Sequence, residues 1–550
     1  MGKAIWLAAA GLVLAAHAQA QSLPQGVQIR DALQDGSLGL FPAQDFRHAR
    51  GDCQCGKLQQ GMWYFQDDLV ALPKDGLPAS TYSSTLDHLA DIRQWSATPE
   101  ALTLAHPSLL WLGSPQVVDG VTLAADGKQV KTADGGAMDF RVVPKISSNR
   151  SYYNDASVAY FANRPLRARG KVEDDAGKKV FTARTIWPAD FNIDPARLTL
   201  DPPKDRQALT QFVQAEQGGA KSAFNTRMLW ERNPGQPRQW QDKAVIGVIL
   251  NGAQGDDDEA YGGHFAIATG KFDADGDWSS WIVNNFYNLD SFSEKGIVAA
   301  SVPMDNYLMD LNSGQQYYRP SYMLVAVLNN PRTAVAYQGA VERTYNHFYR
   351  HDFTYQHAAA NCSGISMDVF KALGWNVPER GASSWSKAVA AYFYLSAKDG
   401  SLDSGRKIYD YLTEETTRLL PAVAFDAAGQ DLLEMVSGHA TRQLDGFEKQ
   451  LQSDVEAIYV VRIPQVPSSR AFGSNPVFSF GEYMERAPAD HAQWKIVPVD
   501  ARPFPQELRD GQALIQPRRS PVPLPIAIIV ILIVVAASLG VRALYRKRKR

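Results

Sequence analysis

The amino-acid sequence predicts an α+β protein in which a β-rich domain precedes a domain of sheet and helices, with a single transmembrane helix near the C-terminus. Three observations predict it. Residues 21–242 carry short apolar segments broken by turn residues, residues 243–382 pass from apolar strands to helical periodicity, and residues 524–541 form an uncharged apolar run.

The chain begins with Lys3, an apolar stretch from Ile5 to Ala16 and the small-residue pattern Ala18-Gln19-Ala20, which together read as a secretory signal over residues 1–20. No cysteine directly follows Ala20, so the mature N-terminus offers no thiol for a lipid anchor. In residues 21–242, Leu109–Leu112, Ser157–Phe161 and Lys179–Ile186 are expected as strands, with Asp126-Gly127 and Ala176-Gly177 as turns. No chemistry stands out there, and a module that binds a substrate or partner is the expectation.

Residues 243–382 start with the apolar strand Ala244–Leu250, cross a Gly- and Asp-rich loop and continue with strands at Gly263–Ala268 and Trp281–Asn285. Two helices follow, Val335–Tyr349 and Ser363–Leu373, the second stopped by Gly374. A mixed α/β extension over 383–509, expected to pack on that domain, has Ile408, Leu412 and Leu419 at helical spacing and a strand at Ala457–Ile463. The proline-containing linker 510–523 spans on the order of 40 Å if extended at ~3.1 Å per residue. The apolar run is read as a transmembrane helix over 524–544, because ~20 residues at ~1.5 Å each cross a ~30 Å hydrocarbon core. The basic tail 545–550 then stays cytoplasmic by the positive-inside rule. The expectation is a single-pass protein of a bacterial inner membrane, with its bulk in the periplasm and its C-terminus in the cytoplasm.

A net charge of −2 argues against a nucleic-acid partner. Of the three cysteines, Cys53 and Cys55 are close together and Cys362 is far away. Pairing the first two leaves Cys362 unbridged; because a disulfide between residues two apart is strained, a bridge from either of them to Cys362 is the alternative.

Cys362 lies in Asn361-Cys362-Ser363-Gly364, where the helix that stops at Gly374 should begin. A helix N-terminus carries partial positive charge and unpaired N–H groups, which favour a thiolate and can hold an oxyanion. Asn361 is a candidate cap and extra donor, and Ser363 a candidate support. The alternative is a buried small apolar residue or half of a disulfide. His264 follows Gly262-Gly263 at the head of a strand and shares a face with Ala266 and Ala268, an open setting for a general base. A structural histidine is the alternative.

Three segments add to this: Gly263-His264; Asn285-Phe286-Tyr287-Asn288; and Tyr349-Arg350-His351-Asp352-Phe353-Thr354-Tyr355, leading through His357 to Asn361-Cys362-Ser363. They resemble the lipoprotein N-acyltransferase-like periplasmic domain family, within the circularly permuted NlpC-type branch of the papain-like superfamily. The resemblance covers roughly residues 243–374, with three extra residues, Ala358 to Ala360, before the cysteine. It implies a papain-like fold, Cys362 as nucleophile, His264 as base and no cofactor. It also implies a polar residue that orients the histidine, Asn284 or Asn285, of which only one can face inward because strand neighbours point to opposite sides. The implied reaction is acyl transfer or hydrolysis at an amide or ester. A lipid or lipoprotein acyl group is favoured as substrate, a peptidoglycan peptide bond is the alternative, and a non-catalytic envelope binding or scaffold protein is the reading from another class. The implied partners are thus a lipid, lipoprotein or cell-wall substrate and the membrane itself.

Two metal patterns compete. His347 and His351, four apart, with His357 nearby, lack an intervening glutamate and a fourth ligand, so no metal is expected. Asp256-Asp257-Asp258-Glu259 lacks the alternating spacing of a calcium loop.

Overall fold

The computed structural model describes residues 27–34, 36–50, 58–76, 86–143, 153–205, 207–218, 222–252, 263–289, 298–317, 319–357, 360–382, 384–467, 485–490, 504–508, 532 and 535–539. The first elements are β1 (Ile29–Asp31), the hairpin β2 (Ser37–Leu38) and β3 (Phe41–Pro42), β4 (Phe46–Ala49), α1 (Gln59–Tyr64), β5 (Val70–Pro73), α2 (His88–Ser96) and β6 (Leu110–Trp111). Next come β7 (Gln116–Leu123), β8 (Gln129–Thr132), β9 (Ala137–Val142), α3 (Asp155–Phe161), β10 (Pro165–Asp175), β11 (Lys178–Pro188) and α4 (Ala208–Gly218). They are followed by β12 (Asn225–Glu231), β13 (Ala244–Asn251), β14 (His264–Lys271), β15 (Ile282–Asn285), β16 (Ala300–Pro303), α5 (Met304–Met309) and β17 (Ser321–Leu328). The remainder is helical up to the last strand: α6 (Arg332–Tyr349), α7 (Cys362–Leu373), α8 (Trp385–Lys398), α9 (Leu402–Thr413), α10 (Thr416–Leu419), α11 (Pro421–Val436), α12 (Gly446–Asp454) and β18 (Val455–Ile463).

Five strands close a barrel. β7 pairs with both β8 and β10, β8 with β9, and β10 with β11, while β9 lies parallel to β11 and so completes the ring. This order, with a helix before the fourth strand and one parallel pair, is an OB-type Greek-key barrel. Val118, Val121, Val130, Met138, Phe140, Leu166 and Phe181 of its strands are buried in the core.

The second sheet has ten strands in the order β12-β18-β17-β13-β14-β15-β16-β6-β5-β4. Its central strands β13 and β17 are buried at every position, which explains their unbroken apolar sequences. One layer of helices lies on the side of β14 that carries Thr269: the Thr269 hydroxyl bonds Gln338 of α6, and α7 packs on β14 beside α6 and α11. The opposite side carries α5 and the barrel, joined by the buried Arg169–Asp305 pair.

The expected α+β class, a papain-like domain after a β-rich domain with a final transmembrane helix, is corrected by this architecture. The chain is mixed α/β with a ten-stranded sheet and a closed five-strand barrel, and among the described residues no helix is long and apolar enough to cross a membrane. The reason is long-range pairing: strands from before residue 242 and after residue 382 join one sheet with β13 to β17, β6 lying parallel beside β16 and β18 antiparallel to β17. Of the expected span 524–544 only Leu532 and residues 535–539 are described. The signal 1–20, Cys53, Cys55, the loop Asp256–Glu259, the linker 510–523 and the tail 545–550 lie outside the described residues.

Locally, Leu110–Trp111, Lys178–Pro188, Val455–Ile463 and both expected helices form as the sequence predicts. Ser157–Phe161 does not. It is helix α3, because Asn154 accepts from Ala156 N and Ser157 N and the Ser157 side chain returns a bond, a capping box that nucleates a helix where apolar spacing suggested a strand.

Candidate active site

α7 begins at Cys362 because Asn361 caps it, its side chain accepting from Gly364 N at 2.9 Å, and ends at Gly374 in the left-handed conformation at φ 103°. The Asn361 amide donates to His357 O at 3.1 Å and Leu419 O at 2.9 Å, so its hydrogens hold the helix start in place and are spent as oxyanion donors. Cys362 is buried. Ser363 is fully buried, and its hydroxyl finds no hydrogen-bond partner among the described residues.

His264 is the first residue of β14 and is also buried. Its Nε2 hydrogen-bonds Asn285 Oδ1, and Asn285 is itself held by donating to Val298 O and by accepting, at its backbone carbonyl, from Tyr345 Oη at 2.9 Å. Across the sheet His264 pairs with Asn251, which accepts from Tyr307 Oη and donates to Ser321 Oγ at 2.7 Å. The Tyr307 ring lies 6.4 Å from the imidazole, centroid to centroid.

Asn284 points the other way, as strand alternation requires. Its amide lies 3.3 Å from Gln338 Oε1 and its carbonyl 2.8 Å from Ser301 Oγ, within a buried ladder that ends on Glu342. Glu342 also accepts from Ser108 N and Oγ at 2.9 and 3.1 Å. Burial pushes its carboxyl up to about 7 despite these donors. A raised folded pKa means stability fully present below the unfolded value near 4.5 and lost as pH rises to about 7, an upper bound of about 3 kcal/mol. Glu342→Gln is expected to flatten chemical-denaturation stability across that window. A slope unchanged from wild type refutes the assignment.

α7 and β14 share one end of the sheet. At one end, Arg332 and Thr333 of α6 bond Asp454, just before β18, and Tyr337 of α6 meets Phe370 of α7 at 5.3 Å. At the other, Tyr345 and Tyr349 of α6 bond Asn285 O and Ala299 O, and Tyr355, on the way to Cys362, lies 5.8 Å from Tyr287. α7 therefore runs back antiparallel to α6 and starts where β14 starts. α7 belongs to the Thr269 side of β14 and the imidazole leaves toward Tyr307 on the opposite side, so the two residues share an end of the sheet but lie on opposite faces of β14.

The histidines weighed as metal ligands do not converge. His347 lies between two carboxylates, Nδ1 at 2.6 Å from Asp352 and Nε2 at 3.0 Å from Asp91, with Arg343 bidentate on Asp91. His351 Nε2 meets Tyr64 Oη at 2.6 Å, and among the described residues no group of metal-ligating side chains forms. Burial opposes charge on His347, but the bonds to Asp352 and Asp91 outweigh it and hold its pKa above the usual imidazole value. For Asp91, burial is likewise outweighed by His347 and Arg343, and its pKa falls to about 2.

The sign follows from those directions. The His347 contribution is fully present below pH ~6.5 and lost as pH rises through its folded pKa, whereas that of Asp91 is present above ~3.8 and lost as pH falls toward 2. His347→Gln is expected to remove the alkaline loss and leave the acid limb, measured by thermal unfolding against pH; an unaltered alkaline limb counts against the pairing.

Sequence reasoning missed Tyr307, Asn251, Tyr345 and Glu342. Only Asn251, at the end of an apolar strand, offered a local signal, as a polar residue ending a run that is otherwise buried. No family model, curated protein or solved structure matches the chain.

Proposed function

We propose that this chain is a thiol-dependent enzyme that transfers or hydrolyses an acyl group held in an amide or ester, with a lipid or lipoprotein acyl group as the favoured substrate. The observation that supports it is the His264 Nε2 bond to Asn285 Oδ1, which fixes the ring of the candidate base. The thiol of Cys362 gives its proton to the imidazole of His264 as sulfur bonds the carbonyl carbon; the amine or alcohol departs with that proton, leaving a thioester. Water or an acceptor amine or hydroxyl then takes the acyl group and returns the thiol. The N-terminus of the capped helix α7 favours the thiolate and the oxyanion.

The test is intact-mass and peptide mapping after reaction with a p-nitrophenyl alkanoate. One acyl group on Cys362, absent in Cys362→Ala, supports the reading. An adduct elsewhere, or equal labelling in Cys362→Ala, sinks it and favours a scaffold role.

A further inference from the structure

The chain that leaves α6 at Arg350 and leads to Cys362 is held from two sides. On one, Asp352 accepts from Arg350 Nη2 at 2.6 Å and lies 2.6 Å from His347 Nδ1, and Phe353 stacks on His88 of α2 at 4.1 Å. On the other, His351 is buried, with its Nε2 2.6 Å from Tyr64 Oη of α1. His351 also has φ 61°, a left-handed backbone that a residue bearing a side chain keeps only where its surroundings hold it.

Part of that second hold comes from far along the chain. Phe504, 6 % exposed, has its ring centroid 4.4 Å from that of His351, 5.5 Å from Tyr64 in a stacked pair and 5.1 Å from Trp63 edge to face. Four residues later, Leu508 O accepts from Gln60 Nε2 of α1 at 2.6 Å. Pro503 and Pro505 flank Phe504 in the sequence, which narrows the backbone states lost when the ring docks. The platform beneath is firm: a Cβ on Gly61 of α1 would lie 3.1 Å from the Tyr349 ring of α6, so the two helices meet without room for a side chain.

We propose that residues 504–508 form a strap. With Phe504 seated, the connection from α6 to α7 is fixed; with Phe504 withdrawn, it opens and exposes Cys362, which is otherwise 4 % exposed. The thiol serves here only as a reporter, and the strap does not depend on the chemistry assigned to it.

Hydrogen exchange of the full-length protein, read by mass spectrometry, tests this. The amides of His351 and Asp352 donate to Phe348 O and His347 O, each at 3.0 Å, so exchange across 350–357 reports release of the connection. Phe504→Ala is expected to speed exchange there about fivefold or more, to speed alkylation of Cys362 by iodoacetamide, located by peptide mapping, to a similar degree, and to leave β10 and β11 at wild-type rates. Phe504→Tyr keeps the ring and should behave as wild type, while Gln60→Ala releases only the Leu508 end and should give a smaller acceleration in the same peptides. If Phe504→Ala fails to fold by circular dichroism, Phe504→Leu, which keeps apolar bulk without the ring, replaces it. Acceleration below about fivefold at 350–357, Cys362 alkylation at the wild-type rate, or equal acceleration in β10 and β11 overturns the proposal.

Discussion

His264→Ala is expected to slow acylation of Cys362 by ~10²–10⁴-fold, the usual worth of a positioned general base. The imidazole is buried, and its Nε2 is tied to Asn285, which is tied in turn to Val298 O and Tyr345 Oη. A ring bonded to an anchored partner loses little entropy in taking a proton, so its removal costs rate rather than binding. The loss should shrink as pH approaches the ordinary thiol value of ~8.5, where solvent supplies the thiolate that the base no longer makes. Asn285→Ala should give a smaller loss of the same pH shape, since the base remains but its orientation is relaxed. Stopped-flow acylation with an activated ester from pH 6 to 9 measures both. A loss below about tenfold for His264→Ala, or one indifferent to pH, removes the imidazole from the proton path.

Arg169→Met is expected to destabilise the fold by ~3–5 kcal/mol, because it strands a buried carboxylate. Arg169 of β10 and Asp305 of α5 are each 1 % exposed at the side chain, with Nη2 and Nε at 2.8 and 3.0 Å from the same oxygen. Arg167 is only a weak substitute, its Nε lying 3.8 Å from Asp305. Pairing the change with Asp305→Leu should recover most of the loss, since replacing both partners of a buried pair by apolar groups is close to neutral. Urea unfolding of the two variants decides it. A single-variant loss under about 1 kcal/mol, or no recovery in the double variant, shows that the pair does not bind barrel to sheet.

Much of the local detail was legible. Asn361 before Cys362 and Gly374 after Leu373 bracket α7 because capping chemistry acts within a few residues, and apolar runs marked β13, β14 and β15 because each is covered on both sides. The alternation rule also required that Asn284 and Asn285 part company. It could not say which one meets the histidine: that depends on the register of β15 against β14, in which Ile267 faces Asn284 and the next pair along brings Asn285 to the imidazole's side.

The sequence by itself marked where most segments start, stop and turn their apolar sides, and it put forward Cys362 and His264 as candidate residues for chemistry. Only the tertiary structure decided that β7 to β11 close into a barrel, that strands hundreds of residues apart join one sheet, and that Glu342, Tyr307 and Tyr345 stand behind the site. Caps and periodicity are energies between near neighbours and can be read along the chain. Sheet order, barrel closure and buried polar ladders are energies between distant segments, set by which pairings bury the most surface with every hydrogen bond met.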